Sequence, residues 1–273
     1  MSTAATDAAV ASQRGALERL ALAHGPLERR TALLALLVSP FNEPQQHAWE
    51  RACVGVALAE RIGVDVALLA PATRLPVFEA LLDRSRPAPL AEKRDLLEHA
   101  RRVLAAAGGV RPLDRLRWLV MRHRLGEAPL SAPAAGGELP ASAVPALSVF
   151  AAFLARIVPL AQADGGIGAE GWAWHERMLA PWATQDAHEA RRRGVPHAED
   201  LLPALRMLQA QSWMLRPVLL RALVDALEPP GVEGLDAQAC DALRLVATLL
   251  DAPLPPTLAE RYVETGWTHD AVS

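Results

Sequence analysis

The sequence predicts an all-α protein, a multi-helix bundle assembled from helix–turn–helix units. Apolar residues recur at three- and four-residue spacing over long stretches, which lines one face of a helix. Nowhere do four or more residues alternate apolar and polar between turn signals, so no sheet is predicted. Aromatic residues make up 4% of the chain and apolar residues 51%. The core must therefore be built from Leu, Ala and Val, of which only Val is β-branched.

Punctuation divides the first half. Gly25-Pro26, Ser39-Pro40, Ala70-Pro71, Pro87-Ala88-Pro89 and Gly108-Gly109 break it into five or six helices. Leu90, Leu97, Ala100, Leu104 and Ala107 make one apolar stripe. Glu127 to Pro145 holds four prolines and two glycines among small residues, cannot form a regular element, and reads as a linker. The expected organisation is an N-terminal helical lobe over 1–126, the linker 127–145 and a C-terminal lobe over 146–273. A chain of 273 residues can bury one large core or two small ones.

In the second lobe, Val144 to Ala163 is the longest apolar stretch. Arg156 near its middle argues against a bilayer span, since an arginine at the bilayer centre costs about 2.5–3.5 kcal/mol; a buried helix is expected. It runs into Ala163-Asp164-Gly165-Gly166-Ile167-Gly168-Ala169-Glu170, which reads as a helix–tight turn–helix corner. Gly165 and Gly166 suit the left-handed geometry that ends a helix. Glu170 falls in the next first turn, where a carboxylate meets the positive dipole end. Leu215, Val218, Leu219, Ala222, Leu223, Ala226 and Leu227 form a second stripe, and Ala239, Ala242, Leu243, Val246, Leu249 and Leu250 a third. Related Gly-containing corners stand at Ala107–Val110 and Pro230–Leu235, a weak internal repeat.

Charge and cysteine usage exclude several classes. A net charge of −3 and a pI near 6.3 support neither nucleic-acid nor anionic-membrane binding. Lys93 is the one lysine among 28 basic residues, an arginine bias that fits a GC-rich bacterial genome. Cys53 and Cys240 stand far apart and read as buried free thiols of a reducing cytosol. The start of the chain has neither a basic nor an apolar leader region, so a cytoplasmic protein without membrane insertion is expected.

No catalytic constellation is complete. His175-Glu176 invites comparison with the His-Glu-x-x-His zinc helix, but the second histidine position is Leu179, and after His188-Glu189 it is Arg192. Gly166 to Gly171 matches Gly-x-Gly-x-x-Gly, yet a helical pattern precedes it where a dinucleotide fold requires a strand. Arg191-Arg192-Arg193-Gly194 could touch phosphate or form a solvated helix end. Asp164 and Glu170 could ligate a hard divalent cation weakly; the bland alternative is a turn-forming Asp and a first-turn Glu. That cation is the only cofactor expected. Trp172, Trp174, Trp182 and Trp213 either line a partner-binding groove or pack the core of the second lobe.

The Asp164-Gly-x-Ile-x-x-Glu170 corner resembles that of TerB-like helical domains. The order of segments also resembles the cytosolic C-terminal region of long bacterial HtpX-like zinc metallopeptidases. Ala32–Leu37, Arg74–Glu79, Arg111–Leu125 and Leu243–Leu250 followed by Asp251-Ala252-Pro253-Leu254-Pro255-Pro256 carry that likeness. The resemblance implies a TerB-like all-α accessory region whose catalytic domain lies elsewhere. Only Asp164 and Glu170 carry over, as metal-contacting carboxylates. The expected function is a non-catalytic scaffold or regulatory module that binds another protein. The alternative is an accessory region of a membrane-associated zinc peptidase, which would then be the partner.

Overall fold

A computed structural model describes residues 3–126, 136–162, 164–182, 194–227 and 234–267. Every regular element among them is helical and no strand occurs among them, so the chain is an all-α multi-helix protein. It divides into two compact units. The first takes Met1–Val110, Met121–Glu127 and Tyr262–Ser273; the second takes Arg111–Val120 and Ala128–Arg261.

The first unit is built around α2 (Pro26–Leu37), in which every residue from Thr31 to Leu37 is buried. Pro26 opens it at the first helical position, where a missing N–H is no loss, and Glu28 accepts a bond from Gly25 N at 3.3 Å. Around it pack α3 (Glu43–Ala52), α4 (Ala59–Leu68), α5 (Pro71–Ser85) and α6 (Leu90–Ala105), while α1 (Thr3–Ala21) lies against α4. Arg19 of α1 holds the buried carboxylate of Asp65 on α4 at 2.6 Å. The sequence breaks predict one element between Pro40 and Ala70; there are two, parted at Cys53–Leu58, where Gly55 sits at φ 82. On α6 the buried stripe is Leu96, Ala100, Val103 and Leu104. The stripe expected from Leu90 is rotated, because Leu90 itself is exposed.

Helix α5 carries Pro76 in its interior. A proline has no N–H to give to the carbonyl four residues earlier, here that of Ala72. That carbonyl instead accepts from Val263 N at 3.1 Å. Farther along α5, the Arg84 guanidinium stacks 4.6 Å from the Trp267 ring. One proline thus creates the attachment point for the segment that returns to this unit.

α7 (Pro112–Leu125) supplies its first part, to Val120, to the second unit. The rest of that unit comprises α8 (Val144–Leu154), α9 (Ala169–Leu179), α10 (Ala198–Gln209), α11 (Leu215–Asp225), α12 (Ala237–Leu249) and the single turn α13 (Pro256–Ala259). α8 packs on α10 and α9, and α11 on α12 and α9. Asp236 caps α12 by accepting from Ala239 N at 2.7 Å. The predicted third stripe is fully buried. The second is corrected at one position: Val218 is 49% exposed and Leu220 is buried in its place. The helix expected over Val144–Ala163 is corrected too. It ends at Leu154, followed by tight turns in which Ile157 N and Val158 N both bond Leu154 O. Pro159 forces this, since it disfavours helical geometry at Val158 and offers no N–H of its own.

Of the predicted linker, residues 127–135 lie outside the described residues. Ala141–Ala143 form a 3-10 turn and Pro145 already sits in the first turn of α8.

Candidate functional site

The acidic corner is held by local bonds. Gly166 N donates to Asp164 Oδ1 at 2.8 Å, an Asx turn. Gly165 takes φ 70; Gly166 does not enter the left-handed region. Arg156 Nε donates to Gly165 O at 2.6 Å and its guanidinium lies 5.7 Å from the Phe153 ring. Burial, with repulsion from Arg115, lowers the Arg156 pKa from its ordinary value. The one arginine in the apolar stretch therefore serves this corner. Because α8 ends ten residues earlier, the corner is the end of a loop rather than a tight helix–helix turn. Asp164 and Glu170 are both exposed, and Glu170 stands in the first turn of α9. Among the described residues, no group of three or more His, Cys, Asp or Glu gathers to hold a metal.

Trp174 is 0% exposed, and its Nε1 donates to Leu223 O at 3.0 Å. Leu223 O is one of the last carbonyls of α11, which the helix itself leaves unpaired. Arg177 Nε donates to Ala226 O at the same helix end, at 2.8 Å. α9 therefore caps α11 with two side chains, and Trp174 is withdrawn from the set of partner-binding residues. Trp172 and Trp182 are half-buried, whereas Trp213 is 73% exposed. Met214 and Val218, one turn apart at the start of α11, are exposed beside it in sequence.

His175 is fully buried and meets the edge of Trp172 at 5.5 Å. Its Nε2 donates to Ser148 O at 3.2 Å, and Nδ1 has no partner among the described residues. Burial pushes its pKa below 6.5. Leu179, one turn on, is buried apolar wall. His188, Glu189 and Arg191–Arg193 lie outside the described residues. Cys53 and Cys240 are free and buried, and burial raises both thiols.

A further recess stands in the first unit, where the sequence indicated nothing. A groove of about 700 Å³ runs between α3 and α4 and the loop after α2. Val38, Phe41, Trp49, Val64 and Ala67 make its apolar surface. Trp49 Nε1 donates to Thr31 O at 3.1 Å, which fixes the indole as the groove wall. Gly63 makes room for it: a Cβ there would lie 2.7 Å from the Trp49 ring. Glu43, Glu50 and Glu60 stand exposed along the groove, with Arg74, bonded to Val66 O, as its cation.

Phe41 at the lip is fully exposed and holds φ 62, a conformation that costs a non-glycine residue about 1–2 kcal/mol. Its neighbours impose it. The buried Gln45 accepts from Ser39 N at 2.9 Å, Asn42 Oδ1 accepts from Gln45 N at 3.0 Å, and Asn42 N returns to Ser39 O. A large apolar side chain is thus presented to water from a fixed backbone beside the groove. No protein-family model matches the chain, and neither a curated protein nor a solved structure matches it.

Proposed function

We propose that this chain is a non-catalytic helical module that binds another protein. The observation that carries the reading is Phe41. An exposed aromatic side chain held in a left-handed backbone by part-buried hydrogen bonds packs against nothing in its own fold, and such strain gathers at binding sites. The adjoining groove falls within the usual volume range of recognition clefts. The exposed Trp213 of the second unit offers a second aromatic anchor of the kind that dominates interfaces. The resemblance to the region that follows HtpX-like catalytic domains makes a membrane-associated peptidase the leading partner class, with this chain acting at the cytoplasmic side as a TerB-like accessory region.

The reading is tested by two assays on the purified chain. Zinc-supplemented protein should leave casein intact, since Leu179 occupies the second histidine position; hydrolysis abolished by His175→Ala overturns the non-catalytic reading. Cross-linking in extracts of the native cell should capture a defined protein through Phe41-proximal positions or Trp213, and capture at neither overturns the binding reading.

A further inference from the structure

We propose that the groove between α3 and α4 receives an amphipathic helix with a basic flank, supplied by the partner, an inference that rests on the protein-binding reading above. Three observations select this occupant. The groove is lined in part by apolar side chains, Trp49 and Val64 among them. Two of its sides are α3 and α4, helices whose backbones are satisfied internally, and the third is the loop after α2. An extended peptide would bring unpaired N–H and C=O groups against that surface, at a cost of about 1–3 kcal/mol each. A helix satisfies its own backbone and presents only side chains.

The second observation is charge. Glu43, Glu50 and Glu60 are exposed along the groove and one cation, Arg74, faces them. Lysine or arginine flanking an apolar stripe complements that edge, whereas an acidic helix or a fatty-acid carboxylate is repelled. The third is Phe41, whose backbone is fixed at the lip and whose ring is fully exposed there. A phenyl side chain has only two rotatable angles, so ordering it against an entering helix costs little entropy.

The test uses the full chain and a synthetic peptide of about fifteen residues, long enough to be helical, with Leu at i, i+3, i+4 and i+7 and Lys or Arg elsewhere. A matched peptide carries Glu in place of the cations. Titration followed by calorimetry should show the basic peptide binding and the acidic one failing. Affinity should fall about tenfold on raising salt to about 0.5 M. The triple variant Glu43→Gln, Glu50→Gln, Glu60→Gln should weaken the basic peptide about tenfold or more. Val64→Asp, at an exposed helical position, should abolish binding with the circular dichroism unchanged. Equal binding of both peptides, binding untouched by these variants, or no binding of the basic peptide overturns the proposal.

A photo-crosslinker placed separately at Val64 and at Trp213 distinguishes this failure from a failure of the wider reading. Capture through Val64 of a basic helical segment supports the groove. Capture through Trp213 alone removes the groove and leaves the binding reading in place. Capture of a second copy of this chain through Val64 overturns the proposed occupant, and capture at neither position removes both readings.

Discussion

Trp49 in the first unit and Trp174 in the second are anchored by the same device and used differently. Each indole N–H donates to a backbone carbonyl of a neighbouring helix, Thr31 O at 3.1 Å and Leu223 O at 3.0 Å. Around Trp174 the surroundings close: Phe150 and Phe153 of α8 are fully buried in the same unit, and His175 is sealed next to it in the chain. Around Trp49 they stay open, and the ring becomes one wall of a groove. A buried aromatic hydrogen bond is thus compatible either with a finished core or with a recognition surface. What decides is whether the apolar residues beyond the ring are covered.

Truncating the two indoles is the strongest way to break that comparison. Trp174→Ala should destabilise the second unit by about 3–5 kcal/mol, because it leaves a cavity and uncaps α11. Trp49→Ala should cost less, about 2–3 kcal/mol, since the buried ring borders an open groove on one side and caps no helix end. Urea unfolding followed by circular dichroism measures both, and equal losses would remove the distinction between an indole inside a core and one bordering a groove.

The glycines facing these elements sharpen it further. A Cβ on Gly171 of α9 would run into the Ala155 carbonyl oxygen, a backbone group that cannot step aside. A Cβ on Gly63 of α4 would meet only the Trp49 side chain. Gly171→Ala should therefore cost about 2–3 kcal/mol by overpacking. Gly63→Ala should cost about 1 kcal/mol, because the gain in helix propensity offsets part of the clash. Its useful signature is a changed Trp49 fluorescence with the second unit unaffected, detected by hydrogen exchange.

A pH titration separates the units by their histidines. His175 is neutral when folded because burial disfavours its charged form, so its folded pKa lies below the ordinary 6.5. The unfolded chain takes up this proton near 6.5 and the folded chain resists it. The associated stability is fully present above about 6.5 and is lost as pH falls below it. Thermal stability of the second unit should decline from pH 7 toward 5, and His175→Gln, which keeps a donor for Ser148 O, should flatten that slope. An unchanged slope would mean that another group sets the acid limit.

The smallest expected effect is at the acidic corner. Asp164→Ala with Glu170→Ala should lower stability by about 0.3–1 kcal/mol through the lost dipole interaction and Asx turn. Calcium should leave the melting temperature of both proteins unchanged. A calcium-dependent rise that vanishes in the double variant would restore the metal reading.

Legibility follows the same division. The stripe from Ala239 to Leu250 was readable because α12 is buried on nearly every side, and any helical phase of its apolar residues points inward. The phase of α11 was not, since Val218 and Leu220 are equally apolar and only the neighbouring helices choose between them. The end of α8 at Leu154 was missed, because the apolar run continues to Ala163 and hides the break that Pro159 makes inside it. Trp174 could not be separated from Trp172 and Trp213 by spacing, because its burial depends on carbonyls near residue 223. The groove left no sequence signal. Phe41 is conspicuous only once the bonds from Gln45 and Asn42 fix its backbone, and the Ser39-Pro40 break announces a turn without saying what it displays.

The bond from Val263 N to Ala72 O has a consequence for the order of assembly. The first unit draws on Tyr262–Ser273 as well as on Met1–Val110, so on the ribosome most of it emerges early and waits. Until the whole intervening unit has been synthesised, the carbonyl that Pro76 leaves vacant has only water to bond, and Arg84 lacks its indole. The returning segment is therefore the last part of the early unit to be synthesised, and the later unit is an insertion ahead of it in the chain. Closing a longer insertion adds little entropy cost, because that cost grows only logarithmically with length. Changes in the size of the second unit should be tolerated far better than loss of the short returning segment.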